Sequence, residues 1–173
     1  MCVWGCAYND CLGGTVAKRS AGLLLYRRKK SGVEVFLVHP GGPYWEKKDL
    51  GAWTIPKGEY GEDEEALDAA KREFSEETGF GETGFAAEGK FVELGTVRQA
   101  SGKVVRAWAV EGDCDAAKLV SNTCEIEWPP RSRRKLEIPE VDRGAWFSLA
   151  EAREKIFEAQ REFLGRLEEQ LPG

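Results

Sequence analysis

An alternation of apolar and turn-forming stretches begins near residue 20. Residues 21–26 form a short apolar run, residues 27–32 are charged or turn-forming, and residues 33–38 alternate and then run apolar. Apolar runs bounded by turn residues are typical of strands, so this pattern predicts a β-hairpin. Residues 39–43, His-Pro-Gly-Gly-Pro, then end the second strand, because proline lacks an amide donor and glycine favours turns.

Further along the chain, the pattern predicts one helix between several short strands. Residues 62–78 have helical spacing and an acidic first turn that suits the positive end of the helix dipole, with Gly79 as a stop signal. The other segments are predicted, in chain order, as an extended piece at 53–56, loops at 57–61 and 83–90, strands at 91–98, 104–110 and 123–128, and a loop at 129–139.

A second helix is predicted at the end of the chain. Ser148 and Glu151 have the spacing of a capping box, in which each side chain bonds to the backbone amide of the other residue. The apolar residues that follow recur at helical spacing and share one face: Leu149, Ile156, Phe163, Leu167 and Leu171. Strands, a helix, more strands and a final helix together predict a layered α/β fold.

Composition and charge limit the possible functions. A chain of 173 residues with 42% hydrophobic and 32% charged residues is most simply one folded domain. The net charge of −5 argues against a general binder of nucleic acid or anionic membranes, so we expect neither DNA nor a membrane as a partner. A polyanionic substrate must therefore be received by local basic groups or by metal ions. Composition does not indicate an oligomeric state.

The cysteines number five, so they cannot all pair within the chain. Residues 1–17 are expected to be a loose extension, and residues 18–173 a single domain. The spacing of Cys2, Cys6 and Cys11 fits no common zinc pattern, which makes a zinc site there the less favoured alternative. Because no secretory or membrane-spanning pattern is present, we expect a cytoplasmic protein with reduced thiols.

Residues 58–80 contain the pattern that carries chemistry. Glu73, Glu76 and Glu77 are spaced so that their carboxylates share about 100° of the predicted helix surface. Three like charges on one face repel each other unless a cation lies between them, and Mg²⁺ prefers such oxygen ligands. The segment therefore predicts a magnesium site, with Mn²⁺ as an alternative ion and the backbone carbonyl of Gly58 as a further ligand.

The same segment resembles the Nudix box. The spacing Gly-x5-Glu-x7-Arg-Glu-Phe-x-Glu-Glu-x-Gly-Phe matches at all nine specified positions. Phenylalanine at Phe74 and Phe80, where aliphatic residues are commoner, is a mild departure that concerns packing. The resemblance covers about residues 18–170. It implies an α/β/α sandwich with a mixed sheet, in which the box forms a loop–helix–loop.

The resemblance also implies a reaction, the hydrolysis of a phosphoanhydride bond in a nucleoside-diphosphate-linked substrate. Glu73, Glu76 and Glu77 are then the ligands of Mg²⁺, one of them doubling as the base, and Arg72 and Glu64 are supporting residues. The ions neutralise phosphate oxygens and acidify a water, a carboxylate accepts the proton of that water, and the water attacks in line.

Several candidates lie outside the helix. The family usually adds an acidic residue from outside the box, and of Glu125 and Glu127 we prefer Glu127; the alternative is that both charges only protect an exposed strand edge. Lys57 directly precedes the box and is placed to contact a phosphate, unless it is an ordinary solvated lysine.

The remaining candidates for substrate binding each have a plain structural alternative. His39 is the only histidine, and a lone histidine is more often a hydrogen-bonded structural group than a contact to substrate. Tyr44 and Trp53 can stack on a nucleobase, although some of the six tryptophans must belong to the core. The loop at 129–139 is the densest basic patch, and Arg133 within it either contacts a phosphate or is simply solvated.

The approach to the box favours one small-molecule nucleotide. Residues 53–58, Trp-Thr-Ile-Pro-Lys-Gly, resemble the Trp-Thr-x-Pro-Lys-Gly of asymmetric diadenosine-tetraphosphate hydrolases, so dinucleoside polyphosphates are the favoured substrates. The alternatives are nucleoside triphosphates, nucleotide sugars, capped RNA, or a non-catalytic nucleotide-binding module. Such a module would be expected to lack a box carboxylate, and none is missing. A prenyl-diphosphate isomerase would need a catalytic cysteine, for which only Cys114 and Cys124 are candidates.

Overall fold

A computed structural model describes residues 18–81 and 90–171. The expected extension at residues 1–17, its three cysteines, and nearly all of the predicted loop at 83–90 lie outside the described residues. Cys114 is a free thiol and Cys124 is disulfide-bonded, so the expectation of reduced thiols is wrong at Cys124. No helix in the described part of the chain is both long and apolar enough to span a membrane.

A six-stranded mixed sheet forms the centre of the molecule. The strands β1 (Arg19–Lys29) and β2 (Gly32–Pro40) form the predicted hairpin, with Tyr26 opposite Val35. The sheet order is β4 (Val92–Arg98), β5 (Val104–Glu111), β1, β2 and β8 (Val141–Ser148), and the short β3 (Lys57–Glu59) pairs with the first part of β1. β1 and β5 run parallel, whereas the other neighbours are antiparallel.

Helices cover both faces of this sheet. The helix α1 (Ala66–Thr78) packs on one face, and α2 (Leu149–Lys155) and α3 (Arg161–Gln170) pack on the other. Successive side chains of a strand point to opposite faces. Leu23 therefore lies in the core beneath α1, and Leu24 lies in the core beneath the terminal helices. This arrangement confirms the predicted α/β/α sandwich.

A separate two-stranded sheet consists of β6 (Thr123–Glu127) and β7 (Lys135–Pro139). The prediction of β6 is confirmed, but the prediction of a loop throughout 129–139 is wrong, because Lys135–Pro139 pairs with β6. Ile138 is buried and faces Gly42, which attaches this hairpin to the turn after β2. We call residues 128–134, which join its strands, the hairpin tip.

Two strands of the main sheet have weak local signals. The prediction of a loop at 57–61 is wrong, because Lys57–Glu59 pairs with β1, where Gly58 lies opposite Ala21. The edge strand β8 was not predicted, since its first half carries Asp142, Arg143 and Gly144 and has no apolar run. Both strands are specified by pairing with a neighbour rather than by local propensity.

The ends of the helices also differ from the predictions. α1 begins at Ala66 rather than at residue 62, because residues 62–65 form a turn from which Glu64 reaches back to Arg72. The capping box at Ser148 is present. The predicted single terminal helix is broken at Ile156, which is extended with φ −71° and ψ 151°.

The break in the terminal helix has a cause in the sheet. Ile156 bridges to Trp53, and the amide of Phe157 donates to the carbonyl of Trp53 at 2.8 Å. A short 3₁₀ helix, Glu158–Gln160, then leads into α3. The predicted apolar face survives the break, since Ile156, Phe163 and Leu167 are buried on one core.

Candidate active site

The last two turns of α1 carry the three box carboxylates. Glu73 and Glu77 are buried, whereas the side chain of Glu76 is 40% exposed. The helix ends at Gly79, whose φ of 73° is left-handed and whose amide donates to the carbonyl of Ser75. Phe74 packs its ring 6.4 Å from that of Phe36 in the core. This packing fixes the rotation of the helix and therefore the direction of its carboxylates.

Gly58 makes room for one of these carboxylates. A Cβ atom placed on Gly58 would lie 1.9 Å from the carboxylate carbon of Glu73. No other residue type avoids this overlap, so glycine is required where β3 meets the helix. The role of the Gly58 carbonyl as a metal ligand stays a prediction.

Arg72 links the acidic groups of the site. Its guanidinium donates to the two oxygens of Glu64 at 2.8 and 3.0 Å, to Glu73 at 2.6 Å, and to Glu76 at 3.4 Å. The hydrogen bonds to Glu64 and then to Glu73 raise the pKa of Arg72, and the same contact lowers the pKa of Glu64. Arg72 therefore connects three carboxylates of the site, and its supporting role in the reaction stays a prediction.

Glu77 and Lys57 are buried side by side, so the alternative that Lys57 is an ordinary solvated lysine is wrong. Both side chains are almost inaccessible, at 0% and 2% exposure, so neither is a solvent-facing group. The amide of Lys57 donates to Oε2 of Glu77 at 2.9 Å. Burial raises the pKa of Glu77 and lowers the pKa of Lys57, and the opposite charge of each partner counters the shift. Lys57 therefore balances the charge of the carboxylates, and its contact with a phosphate stays a prediction.

Glu140 joins this cluster from outside the box. It lies between β7 and β8 and is 6% exposed, with its amide donating to Asn122 at 2.9 Å and its carbonyl accepting from Gly41 at 3.0 Å. Burial raises the pKa of Glu140, and the negative charges of Glu73 and Glu76 raise it further. Sequence reasoning missed Glu140, because it missed the two strands that flank it.

The preferred external acid, Glu127, lies elsewhere. It accepts from the backbone amide of Arg133 at 2.8 Å, and Glu125 pairs with Lys135 at 3.0 Å. Both carboxylates are exposed on the β6–β7 hairpin. The structure therefore brings Glu140 to the box carboxylates and places Glu127 beside the hairpin tip. Arg133 is exposed at that tip, outside the carboxylate cluster.

The oxygen donors of this cluster suit a hard divalent cation. Oε1 of Glu77 is buried and has no hydrogen-bond partner in the described part of the chain, and a charged oxygen in that state is costly unless a cation satisfies it. Within residues 18–81 and 90–171, no three acidic, histidine or cysteine side chains converge on one point. Arg72 and Lys57 supply the positive charge instead, and Arg72 draws Glu73 to 2.6 Å.

His39 is engaged entirely by the protein. It is fully buried, with Nδ1 at 3.0 Å from a carboxylate oxygen of Asp142 and Nε2 at 2.7 Å from the carbonyl of Lys48. Its ring also lies edge-on to Trp53, with centroids 5.2 Å apart. Because both nitrogens are occupied, the imidazole connects the loop after β2 to β8 and has no nitrogen left for a substrate.

The two predicted stacking residues differ in exposure. Trp53 is 4% exposed and packs between His39 and Phe147, so it belongs to the core. Tyr44 is 41% exposed, and Nζ of Lys48 lies 3.2 Å from the centroid of its ring. Of these two aromatic side chains, that of Tyr44 is the more exposed, and its stacking on a nucleobase stays a prediction.

The chain is similar to one protein family in sequence and to solved structures in fold. The model of the NUDIX domain family matches residues 16–167. No curated protein matches. A solved structure of a C. elegans Ap4A hydrolase binary complex shares 20% identity, covers 87% of this chain and 96% of its own, and has a TM-score of 0.59. The NUDIX domain of Shewanella oneidensis NrtR complexed with ADP ribose shares 20% identity, covers 96% of each chain, and has a TM-score of 0.61. At these identities the two structures show a common fold.

Proposed function

Because the chain belongs to the Nudix family, whose model matches residues 16–167, we propose that it hydrolyses a phosphoanhydride bond of a dinucleoside polyphosphate with Mg²⁺. The observation that carries this proposal is the burial of Glu73 and Glu77 where α1 meets β3, with Oε1 of Glu77 left without a hydrogen-bond partner in the described residues. Buried carboxylates without enough counter-charge are characteristic of sites that bind cations or move protons.

The residues of the cluster have distinct proposed roles. Glu73, Glu76 and Glu77 supply the oxygens that hold Mg²⁺, for which Mn²⁺ is an alternative. When bound, such an ion neutralises phosphate oxygens and acidifies water. Arg72 keeps Glu73 aligned, and Glu140 takes the place that the sequence assigned to Glu127, as the acidic residue from outside the box.

The side chains of the cluster lower the activation barrier of hydrolysis in two ways. Lys57 lies among the carboxylates and offsets their mutual repulsion, which helps a polyanion to approach them. A carboxylate oxygen of the cluster accepts the proton of the attacking water, a transfer that commonly contributes about 10²–10⁴-fold to rate. The rigid seat of α1 on the sheet holds these oxygens in position for an in-line attack.

Two observations support a dinucleoside polyphosphate as the substrate. Residues 53–58 match the Trp-Thr-x-Pro-Lys-Gly approach of the diadenosine-tetraphosphate hydrolases, and the fold is shared with the C. elegans Ap4A hydrolase. The exposed Tyr44 lies in the loop that follows β2. The amide of Gly41, at the start of the same loop, donates to the carbonyl of Glu140, which connects this loop to the acidic residue from outside the box. We assign Tyr44 the stacking of an adenine.

A hydrolysis screen with and without Mg²⁺ tests this function. Its substrates are diadenosine tetraphosphate, nucleoside triphosphates, nucleotide sugars and capped RNA, and we expect the highest kcat/KM with diadenosine tetraphosphate. Tyr44→Ala should raise KM for that substrate about tenfold through the loss of stacking worth about 1–3 kcal/mol. Leu50→Ala, a change of a 68% exposed side chain in the same loop, is the matched control. If the protein hydrolysed nucleotide sugars and no dinucleoside polyphosphate, the proposed substrate would be wrong, but the proposal that the protein is a hydrolase would stand.

A further inference from the structure

Basic side chains form two exposed clusters that differ in how they are neutralised. At the β1–β2 turn, each of three basic residues has an acidic partner: Arg27 with Glu34 and Asp113, Arg28 with Glu111, and Lys29 with Asp113. The chain has 30 acidic residues against 25 basic ones, so such pairing is the expected state of a surface cation here.

The hairpin tip, residues 128–134, is not neutralised in this way. Arg131, Arg133 and Arg134 are exposed, and in the described residues no carboxylate forms an ion pair with their guanidiniums. Two glutamates of the hairpin have other partners, since Glu125 pairs with the side chain of Lys135 and Glu127 accepts from the backbone amide of Arg133, which leaves the charge of Glu127 beside the tip. Within the described residues, the three guanidiniums of the tip therefore form no ion pair and outnumber the one carboxylate beside them.

The backbone of the tip favours a role for these side chains. Arg131 and Arg133 have left-handed φ values of 65° and 58°, a conformation that glycine and asparagine adopt at lower cost. The turn is nevertheless ordered, since the amide of Ser132 donates to Pro129 at 3.1 Å and the amide of Arg134 donates to the Ser132 hydroxyl at 3.1 Å. The three arginine side chains therefore project from an ordered turn, at two positions where the backbone is strained.

From this arrangement we propose that the hairpin tip binds a single strand of nucleic acid. A guanidinium is planar and donates two parallel hydrogen bonds to one phosphate, so three arginines fit successive phosphodiesters of a strand. Trp128, half-buried at the base of the tip, supplies an aromatic face for a base. The rest of the chain is acidic, so the contact is confined to the tip.

The affinity for a fluorescein-labelled oligouridylate of about eight nucleotides, measured by fluorescence anisotropy, tests this proposal. Three phosphate contacts predict a slope of log affinity against log salt of about −2, or about twentyfold weaker binding between about 50 and 200 mM salt. Combined Arg131→Gln, Arg133→Gln and Arg134→Gln should abolish the slope and weaken binding at least about tenfold. Glutamine keeps the side-chain stem and the backbone strain of these positions.

The matched control removes three charges from the β1–β2 turn, by Arg28→Gln, Lys29→Gln and Lys30→Gln, of which Arg28 and Lys29 have acidic partners, and should leave the slope unchanged. The proposal would be overturned if both variants lost the same affinity for the oligonucleotide, or if the wild type did not bind it at all. It would also be overturned if tripolyphosphate or polyglutamate, added at the same total negative charge as unlabelled oligonucleotide, displaced the labelled strand equally well. Glu76→Gln, which impairs the proposed hydrolysis, should bind the oligonucleotide as the wild type does. The tip is thereby tested separately from the active site.

Discussion

The carboxylate cluster of α1 and the hairpin tip each concentrate charge of one sign, but they differ in burial and in ion pairing. In the cluster, Glu73 and Glu77 are buried, Arg72 donates to Glu73, and the buried Lys57 adds a second positive charge. At the tip the arginines are exposed and no carboxylate in the described residues pairs with them. A buried, cross-linked cluster holds its atoms where a reaction needs them, whereas an exposed one is available to whatever partner approaches.

This contrast also separates two box carboxylates that sequence alone treats as equivalent. Glu76 is 40% exposed and contacts Arg72 only weakly, while Glu77 is fully buried and accepts the amide of Lys57. Both are proposed metal ligands, but only Glu77 is also part of the packed interior. The two should therefore differ in their effects on stability and agree in their effects on turnover.

The largest effect is expected from the pair Glu77→Gln and Glu76→Gln. Each removes a carboxylate that stabilises bound cations, an interaction worth several kcal/mol, so kcat should fall about a thousandfold in both. Glu77→Gln should also reduce the free energy of unfolding by about 1–3 kcal/mol, because the buried Lys57 then loses an opposite charge. Glu76→Gln should change it by less than about 0.5 kcal/mol. Denaturant titration measures the free energy of unfolding of both variants. A larger loss of stability in Glu76→Gln than in Glu77→Gln would contradict the assigned burial.

An intermediate effect is expected at Gly58. Gly58→Ala places a methyl group 1.9 Å from the Glu73 carboxylate carbon, so Glu73 must move. A displacement of about 1 Å in an active site costs about a hundredfold in rate, which steady-state kinetics would detect. Gly61→Ala is the matched control, because nothing lies within 4 Å of the added atom. Similar losses in the two variants would mean that the contact with Glu73 is irrelevant to turnover.

A smaller effect is expected at the external acid. Glu140→Gln should lower kcat/KM about tenfold, as is common for groups that support metal ligands. Glu127→Gln, which changes an exposed carboxylate near the hairpin tip, should stay within about twofold of the wild type. Measurement of kcat/KM for the two variants decides between them. A greater loss with Glu127→Gln would restore the assignment made from sequence.

The sequence was sufficient to predict those features of the structure that depend only on the spacing of residues along the chain. Glu73, Glu76 and Glu77 share a face because of helix geometry, and the hairpin of β1 and β2 follows from its apolar runs and turn residues. The sequence could not show which carboxylates are buried, since burial depends on how α1 meets β3. The shared face gave no sign that Glu77 is fully buried while Glu76 is 40% exposed.

Pairing between distant segments was the other information that sequence lacked. β3 and β7 are short and polar or glycine-rich, and both form only because a partner strand is present. The position of Glu140 depends on the ends of β7 and β8, so a single-sequence search had no local pattern that could reveal it. The break at Ile156 has the same origin, because its backbone pairs with Trp53.

We propose that the α1 carboxylates hold the divalent ion on which hydrolysis depends, and a Mn²⁺ titration measures this binding. The electron paramagnetic resonance signal of free Mn²⁺ reports binding to the wild type, to Glu76→Gln and to Arg133→Gln. We predict saturable binding to the wild type, unchanged binding to Arg133→Gln, and binding at least about tenfold weaker for Glu76→Gln, the lower limit for loss of a supporting group at a metal site. Equal binding by the wild type and Glu76→Gln, or no binding to the wild type, would contradict the claim.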